Sequence, residues 1–482
     1  MESGRRTSSA ARARGGEPSA RTGEDPARVG PPRVAPLYKR LPHGPHRLAR
    51  DEVVHNQRTR IHGAMIEAVA SRGYRGTSVK RVIALAGVSR RSFYEHFANK
   101  QECFIATFDL IARRELQHVR RAYLAADGTL EDRVRASLRR FARMTLEERK
   151  AAVLVVLEAQ TAGVPGVLRL RQATGACEHM LAQSFAQTAG AVALPTPIVR
   201  CIAGGLHGVA SAFLRREPAG ERPDVVEEML GWTLLFQTPA AERMAESMAA
   251  ALSVRVREIA AIYGHGRGGA EASSRDERTR VLQSILRLST REDYATLSAP
   301  QIADEANVSI EAFCKLFAGR DECYLAALDM IGDELLAIAA DPELVSEEWP
   351  QAVRSVLAEL MRYLADHPLH ARTLAQEGFF AGPAARERID DLAHSIATLL
   401  IEGAPAQARS RLTAEAVAGA IWHTVRCQVG AGRIPLLVAL SDYLAYVVLA
   451  PHLGADAAAE ILTEERPPVS RVACETGVRQ ST

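Results

Sequence analysis

Long apolar runs, Cys-x-x-Cys pairs and stretches of alternating β-branched residues are all missing from this 482-residue sequence. Without an unbroken apolar run of about 18 residues, neither a membrane span nor the core of a signal peptide is expected. The missing alternation excludes an extended sheet, and apolar positions instead recur at helical spacing, so the expected class is all-α. The seven cysteines, Cys103, Cys177, Cys201, Cys314, Cys323, Cys427 and Cys474, are odd in number and scattered. That pattern argues for a reducing cytoplasm and against a disulfide framework or a zinc site, with most thiols acting as small buried apolar groups. No Gly-rich phosphate loop follows a strand, and no nucleophile–base pair, metal cluster or cofactor loop stands out. The expectation is therefore a protein that is not an enzyme and needs no cofactor or metal. His207 and His423 lie in apolar helical stretches and read as core or pocket residues, while Glu227–Glu228 and Asp390–Asp391 read as solvated faces. Gly204, Gly205 and Gly208 read as places where helices approach closely.

Net charge is only +3, but residues 1–50 hold eleven Lys/Arg against four acids. This Arg-, Gly-, Pro- and Ser-rich leader has no apolar periodicity with which to bury a core, and is expected to be disordered. Pro31, Pro32, Pro36, Pro42 and Pro45 also spoil the amphipathic helix of a transit peptide. The remaining length is too great for a single small domain.

What is present centres on residues 77–100, TSVKRVIALAGVSRRSFYEHFANK. Val79, Val82 and Ile83 form the buried stripe of a short helix capped by Thr77 or Ser78, and Gly87 supplies the turn at positive φ. Ser89 caps a second helix whose Phe93 and Phe97 face inward, leaving Arg90, Arg91, Ser92, Tyr94 and His96 toward solvent. Five Lys/Arg stand against one acid in this stretch, an electrostatic footprint for phosphate.

From Arg60 to Phe104, the residues Gly73-Tyr74, Thr77-Ser78, Ala86-Gly87-Val88-Ser89, Phe93-Tyr94, His96-Phe97 and Asn99-Lys100-Gln101-Glu102 follow in order. This run resembles the DNA-binding domain of the tetracycline-repressor (TetR) family. The resemblance implies a ligand-responsive transcriptional regulator, usually a repressor, with a three-helix head followed by a helical effector and dimerisation body. Its expected partners are a double-stranded DNA operator and an unknown small-molecule effector, with no membrane. Arg90, Arg91 and Ser92 are the candidate base readers; Thr77, Tyr94, His96 and Lys100 are the candidate phosphate contacts, with the capping residues Ser78 and Ser89 in the same DNA-facing set.

A second copy lies 220 residues further on. Arg58-Thr59-Arg60 recurs as Arg278-Thr279-Arg280, Tyr74 as Tyr294, Val88-Ser89 as Val308-Ser309, Phe93 as Phe313, Phe97-Ala98 as Phe317-Ala318, and Glu102-Cys103 as Glu322-Cys323. Gly87 becomes Asn307, which tolerates a left-handed turn. The surface is not kept: Arg90 becomes Ile310, Arg91 Glu311, Tyr94 Cys314 and His96 Leu316, and residues 297–320 carry two basic residues against three acids. The expected architecture is two such units in one chain. Its segments are a leader (1–50), a first head (51–103), a first body (104–263), a linker (264–275), a degenerate second head (276–324), a second body (325–465) and a tail (466–482). Residues 130–162 are expected to form one long helix. The terminal helices of each body, residues 197–237 and 413–449, are expected to pair, giving an intramolecular pseudodimer or a homodimer. The resemblance also implies an effector pocket inside each body, where Phe185, Phe213, Trp232 and Phe236, or Met361, Phe379, Phe380, Trp422 and Tyr443, are the expected walls. The alternative reading is a ligand- or partner-binding regulatory protein that no longer reads an operator.

Overall fold

The computed structural model describes residues 50–188, 191–215, 224–239, 242, 244, 246, 276–292, 294, 296–345, 348–376, 378, 381–405 and 410–463. The basic leader up to residue 49, the linker, the tail beyond residue 463, Phe379, Phe380 and Cys474 lie outside the described residues. Every regular element among the described residues is helical.

The first head consists of α1 (Arg50–Arg72), α2 (Val79–Ala86) and α3 (Arg90–His96), and α4 (Lys100–Ala125) leads out of it. Local chemistry sets each boundary. Gly73, at φ +68°, ends α1, and the Ser78 hydroxyl accepts from the Arg81 N–H to open α2. Gly87, at φ 60°, closes α2, the Ser89 hydroxyl caps α3 through the Ser92 N–H, and Asn99 caps α4 through the Glu102 N–H. Phe93, Phe97, Ile61, Met65 and Phe104 are buried between these helices, in a core cluster that continues into Ala151, Leu154 and Leu170 of the first body.

The first body continues with α5 (Leu130–Glu147), α6 (Arg149–Ala152), a π-helical segment Val153–Glu158, a 3-10 segment Ala159–Ala162, α7 (Val164–Ala186), α8 (Thr196–Arg215) and α9 (Asp224–Leu234). The expected single helix over residues 130–162 is thus interrupted, at Glu148 and again across the π segment. The Glu158 carboxylate, at the end of the π segment, accepts from the Tyr74 N–H of the first head at 2.8 Å, and its other oxygen faces Arg386 at 3.4 Å.

After the linker come α10 (Glu277–Arg291), α11 (Ala299–Glu305), α12 (Ile310–Leu316) and α13 (Arg320–Ala339). At positions 220 apart the two helix sets make the same contacts. Lys100 Nζ donates to the Tyr74 carbonyl and lies 4.1 Å above its ring; Arg320 donates to the Tyr294 carbonyl and lies 4.5 Å above that ring. Arg58 stands over Phe97 and Arg278 over Phe317. The Ala98 and Ala318 N–H groups donate to Glu102 and Glu322, each at 2.6 Å. Asn307, at φ 52°, is the sole non-glycine residue at positive φ among the described residues, and stands where Gly87 does.

The remaining helices are α14 (Pro342–Val345), α15 (Trp349–Asp366), α16 (Pro368–Ala375), α17 (Pro383–Glu402), α18 (Arg411–Gly430), the 3-10 segment Ile434–Leu440, α19 (Ser441–Leu453) and α20 (Ala455–Thr463). Among the described residues the most extensive helix contact joins the two halves, α8 against α18. Glycines make it possible: a Cβ on Gly204 would lie 2.8 Å from the Gly419 carbonyl oxygen, and one on Gly208 would lie 2.6 Å from that of Glu415. Two stretches, Thr196–Arg215 and Ile434–Leu453, do reach the length and hydropathy of a membrane span, contrary to the run-based expectation, because a few charges dilute them without lowering the mean enough. Buried residues make up 61% and 72% of those windows.

Asp390 departs from its expected solvated role. It pairs with Arg215 across the two halves, and burial pushes its carboxyl above the ordinary range. Glu227 and Glu228 are exposed, as expected, and Glu227 pairs with Arg135 at 3.0 Å.

Candidate nucleic-acid interface and effector cavity

The exposed side of α3 carries most of the predicted DNA-facing set. Arg90, Arg91, Tyr94 and Ser89 are exposed, and Ser92 is half-buried. Arg90 lies 5.7 Å above the Tyr94 ring, and Arg91 pairs with Glu95 at 3.0 Å while its side chain remains 90% exposed, a weak pair that phosphate or a base edge can displace. Ser78 and Ser89 spend their hydroxyls on helix caps, which aims the N-terminus of α3 and leaves Ser92 3.0 Å from Ser89. Lys80, exposed on α2, adds a cation beside them.

Three of the predicted phosphate contacts have partners within the head. Thr77 is buried and donates inward to the Gly73 carbonyl at 2.8 Å, so its hydroxyl is a bolt within the α1–α2 turn. Lys100 is half-buried against Tyr74, where burial and the Arg75 charge hold its pKa below the ordinary range. Its ammonium donates to the Tyr74 carbonyl at 3.0 Å. His96 is half-buried 3.3 Å from Gln57 Oε1, and burial together with Arg58 lowers its pKa.

The second head presents Ile310, Glu311 and Cys314 on the matching exposed face of α12, with the Ser309 cap intact. The two heads also touch. The Arg75 guanidinium lies 5.8 Å over the Tyr294 ring, next to the Arg320–Asp321 pair.

A second difference between the heads is inside. His62 is buried, and its Nδ1 lies 2.8 Å from the Thr107 hydroxyl, which already donates to the Cys103 carbonyl. His62 therefore donates from Nδ1 as a neutral ring, and burial, followed by the Arg58 and His96 charges, pushes its pKa down to about 4. The second head has buried Leu282 and Ala327 in these two places. An unfolded histidine titrates near 6.5, so the unfolded chain binds the extra proton first and stability is lost as pH falls from about 6.5 toward 4. The first head is expected to lose about 2 kcal/mol between pH 7 and pH 5 from this group. His62→Leu should remove that share, seen as a smaller fall in the unfolding midpoint over the same pH interval.

Behind the first head, α4, α5, the π segment, α7 and α8 enclose a cavity of about 430 Å³. Phe108, Ile111, Leu138, Phe141, Met180 and Phe185 are among its apolar walls. Polar residues line it too, Asp109, Arg113, Arg169 and Gln172 among them, and two further ones could anchor a ligand. One is Glu115, 8% exposed at its side chain and held by Arg140 at 2.7 Å and Arg114 at 2.9 Å. The other is His207, whose pKa burial, Arg426, His423 and Arg215 push down to about 3, leaving a neutral donor and acceptor.

Of the predicted walls only Phe185 lines this space. Phe213 lies under the Arg149 guanidinium at 5.9 Å; Trp232 packs edge-on to Phe236 at 5.7 Å and covers Gly205. Trp422 borders a smaller space of about 60 Å³ with Asp390 and Arg386. Met361 and Tyr443 are core residues. The missed walls had a signal: Phe108 and Ile111 recur at helical spacing with Phe104 along α4.

The family model for bacterial regulatory proteins of the tetR family matches residues 64–107, from the second half of α1 into α4. Solved structures that resemble this chain include the fatty acid degradation regulator FadR from Bacillus halodurans, at 18% identity and a TM-score of 0.33, covering 36% of this chain and 96% of that one. Another is the transcriptional regulator FadR from Bacillus subtilis in complex with stearoyl-CoA, at 14% identity and a TM-score of 0.34, with the same 36% and 96% coverage. No curated protein sequence matches the chain.

Proposed function

We propose, from a first helix-turn-helix that carries the TetR-family match, that this chain is a DNA-binding transcriptional regulator of the cytoplasm. It acts as a ligand-responsive repressor built from two such units in one polypeptide. The observation that carries this reading is the exposed, doubly capped α3 with Arg90, Arg91, Ser92 and Tyr94 on its free face. A short basic helix presented in this way suits the major groove, where arginine pairs bidentately with guanine. The second head keeps the packing but offers an acid and apolar side chains, so it serves as a spacer, a weak contact or a protein-binding surface.

The effector enters the first body. A cavity of about 430 Å³ with apolar walls suits a small molecule with an apolar body, and Glu115 and His207 offer it polar anchors. Val155 and Val156 of the π segment line this space, and Glu158 at the end of that segment holds the Tyr74 N–H of the head. Ligand that shifts the segment pulls on Glu158 and so reorients α3, which is the coupling a regulator needs. The packing of α8 on α18 supports an intramolecular pseudodimer in place of a homodimer.

Genome-wide DNA occupancy tests the reading. Discrete sites sharing one short motif are expected, with occupancy that falls steeply as salt rises; uniform background at every salt concentration would overturn it.

A further inference from the structure

Glu178 of α7 and His423 and Cys427 of α18 meet at the seam between the two halves, although 245 residues separate Glu178 from His423. Residues four apart on a helix share a face, so His423 and Cys427 converge, and α7 brings the carboxylate opposite them. The ligand atoms of all three lie within 4.8 Å of one another. His423 Nε2 is 2.8 Å from Glu178 Oε1 and 3.6 Å from Cys427 Sγ. Zinc bonds of about 2.0 Å to nitrogen or oxygen and about 2.3 Å to sulfur, in a tetrahedron, separate adjacent ligand atoms by roughly 3.3 to 3.6 Å. The Cys–His separation already has that value, and the His–Glu pair needs to open by about half an ångström.

Two further features fit an ion. Arg200 Nε lies 3.5 Å from the other Glu178 oxygen and so orients the carboxylate with Oε1 inward, as outer partners of metal ligands do. A space of about 40 Å³ borders His423, Cys427 and Gln160, room for one water, and Gln160 Oε1 is buried there without a hydrogen-bond partner.

We propose that Glu178, His423 and Cys427 bind a divalent transition-metal ion of the zinc class, with a water facing Gln160 in the fourth position, so that the ion ties the first body to the second. Thiolate, imidazole and carboxylate together favour zinc or cobalt over calcium or magnesium, which take oxygen ligands. Glu178 follows Cys177, a residue of the large cavity wall, so the clamp also stiffens one side of the effector space.

The test is titration of the reduced, metal-free full chain with Co(II), followed by competition with Zn(II). One Co(II) per chain is expected, with a near-ultraviolet thiolate charge-transfer band and the visible bands of a tetrahedral site, both erased by Zn(II). Cys427→Ser should abolish the near-ultraviolet band, and Glu178→Gln should weaken Co(II) binding at least tenfold. Should Cys427→Ser fail to fold, Zn(II) protection of Cys427 from alkylation in the unaltered chain, mapped by peptide, answers the same question. Absence of the band, a band that survives Cys427→Ser but disappears in Cys201→Ser, or alkylation of Cys427 at the same rate with and without Zn(II) would overturn the proposal.

Discussion

Replacing Arg90 and Arg91 together with alanine is expected to lower the affinity of the full chain for its specific DNA site by at least about thirtyfold at physiological salt. Each arginine is exposed near the N-terminus of α3, the end that meets base edges when such a helix enters the groove. A bidentate arginine–guanine pair is worth about 1 to 3 kcal/mol, so two lost pairs remove about 2 to 6 kcal/mol. The present partners offset little of this. Glu95 pairs with Arg91 at a site where both side chains are more than half exposed, and such pairs contribute at most about 1 kcal/mol. Folding should be unaffected, because neither side chain belongs to the head's core. The matched change in the second head, Glu311→Ala, is expected to leave affinity within about threefold, since it removes an acid from a helix with little basic support. Fluorescence anisotropy on one labelled site reads both variants, and equal affinities for the double alanine variant and the unaltered chain would remove α3 from the interface.

Gly419→Leu should separate the two halves. A Cβ at Gly419 lies 2.7 Å from Gly208 Cα and closer still to the Gly204 carbonyl oxygen, so even the first carbon of a side chain meets backbone that cannot rotate away. The helices must move apart, and the contact of α8 with α18 is lost along its length. The expected cost is about 3 kcal/mol or more, visible as a lower denaturation midpoint and as separate unfolding of the halves. Gly231→Ala is the control. A Cβ there meets nothing within 4 Å, and alanine in the body of α9 is expected to stabilise by about 0.5 to 1 kcal/mol. Light scattering should find the unaltered chain monomeric, its two-fold packing satisfied internally. A fully cooperative, unshifted unfolding curve for Gly419→Leu would show that this crossing does not hold the halves together.

Features governed by near neighbours were legible in the residues. Ser78, Gly87, Ser89 and Gly73 mark helix ends through their own hydroxyls and backbone freedom, and the caps of α2 and α3 appear where those residues stand. The exposed face of α3 followed from Phe93 and Phe97 four apart. Features governed by distant partners were not. Thr77 and Lys100 look free in one dimension, yet the carbonyls of Gly73 and Tyr74 claim them. Glu148 and the π segment interrupt a stretch that periodicity reads as one helix, and Glu158 at its end meets Tyr74 and Arg386 from far along the chain. Asp390 is acidic beside Asp391 and reads as solvated until Arg215 arrives from the other half. The cluster of Glu178 with His423 and Cys427 is only half local: His423 and Cys427 stand four apart on α18, while Glu178 comes from α7.

The central claim is that one head reads DNA and its partner does not, and hydroxyl-radical footprinting of the full chain on its tightest genomic site tests this most directly. The account predicts strong protection over one half-site, weak or no protection one helical turn or a multiple of it away, and loss of the strong footprint in the Arg90/Arg91 double alanine variant. Equal protection over two symmetric half-sites, retained in that variant, would contradict it.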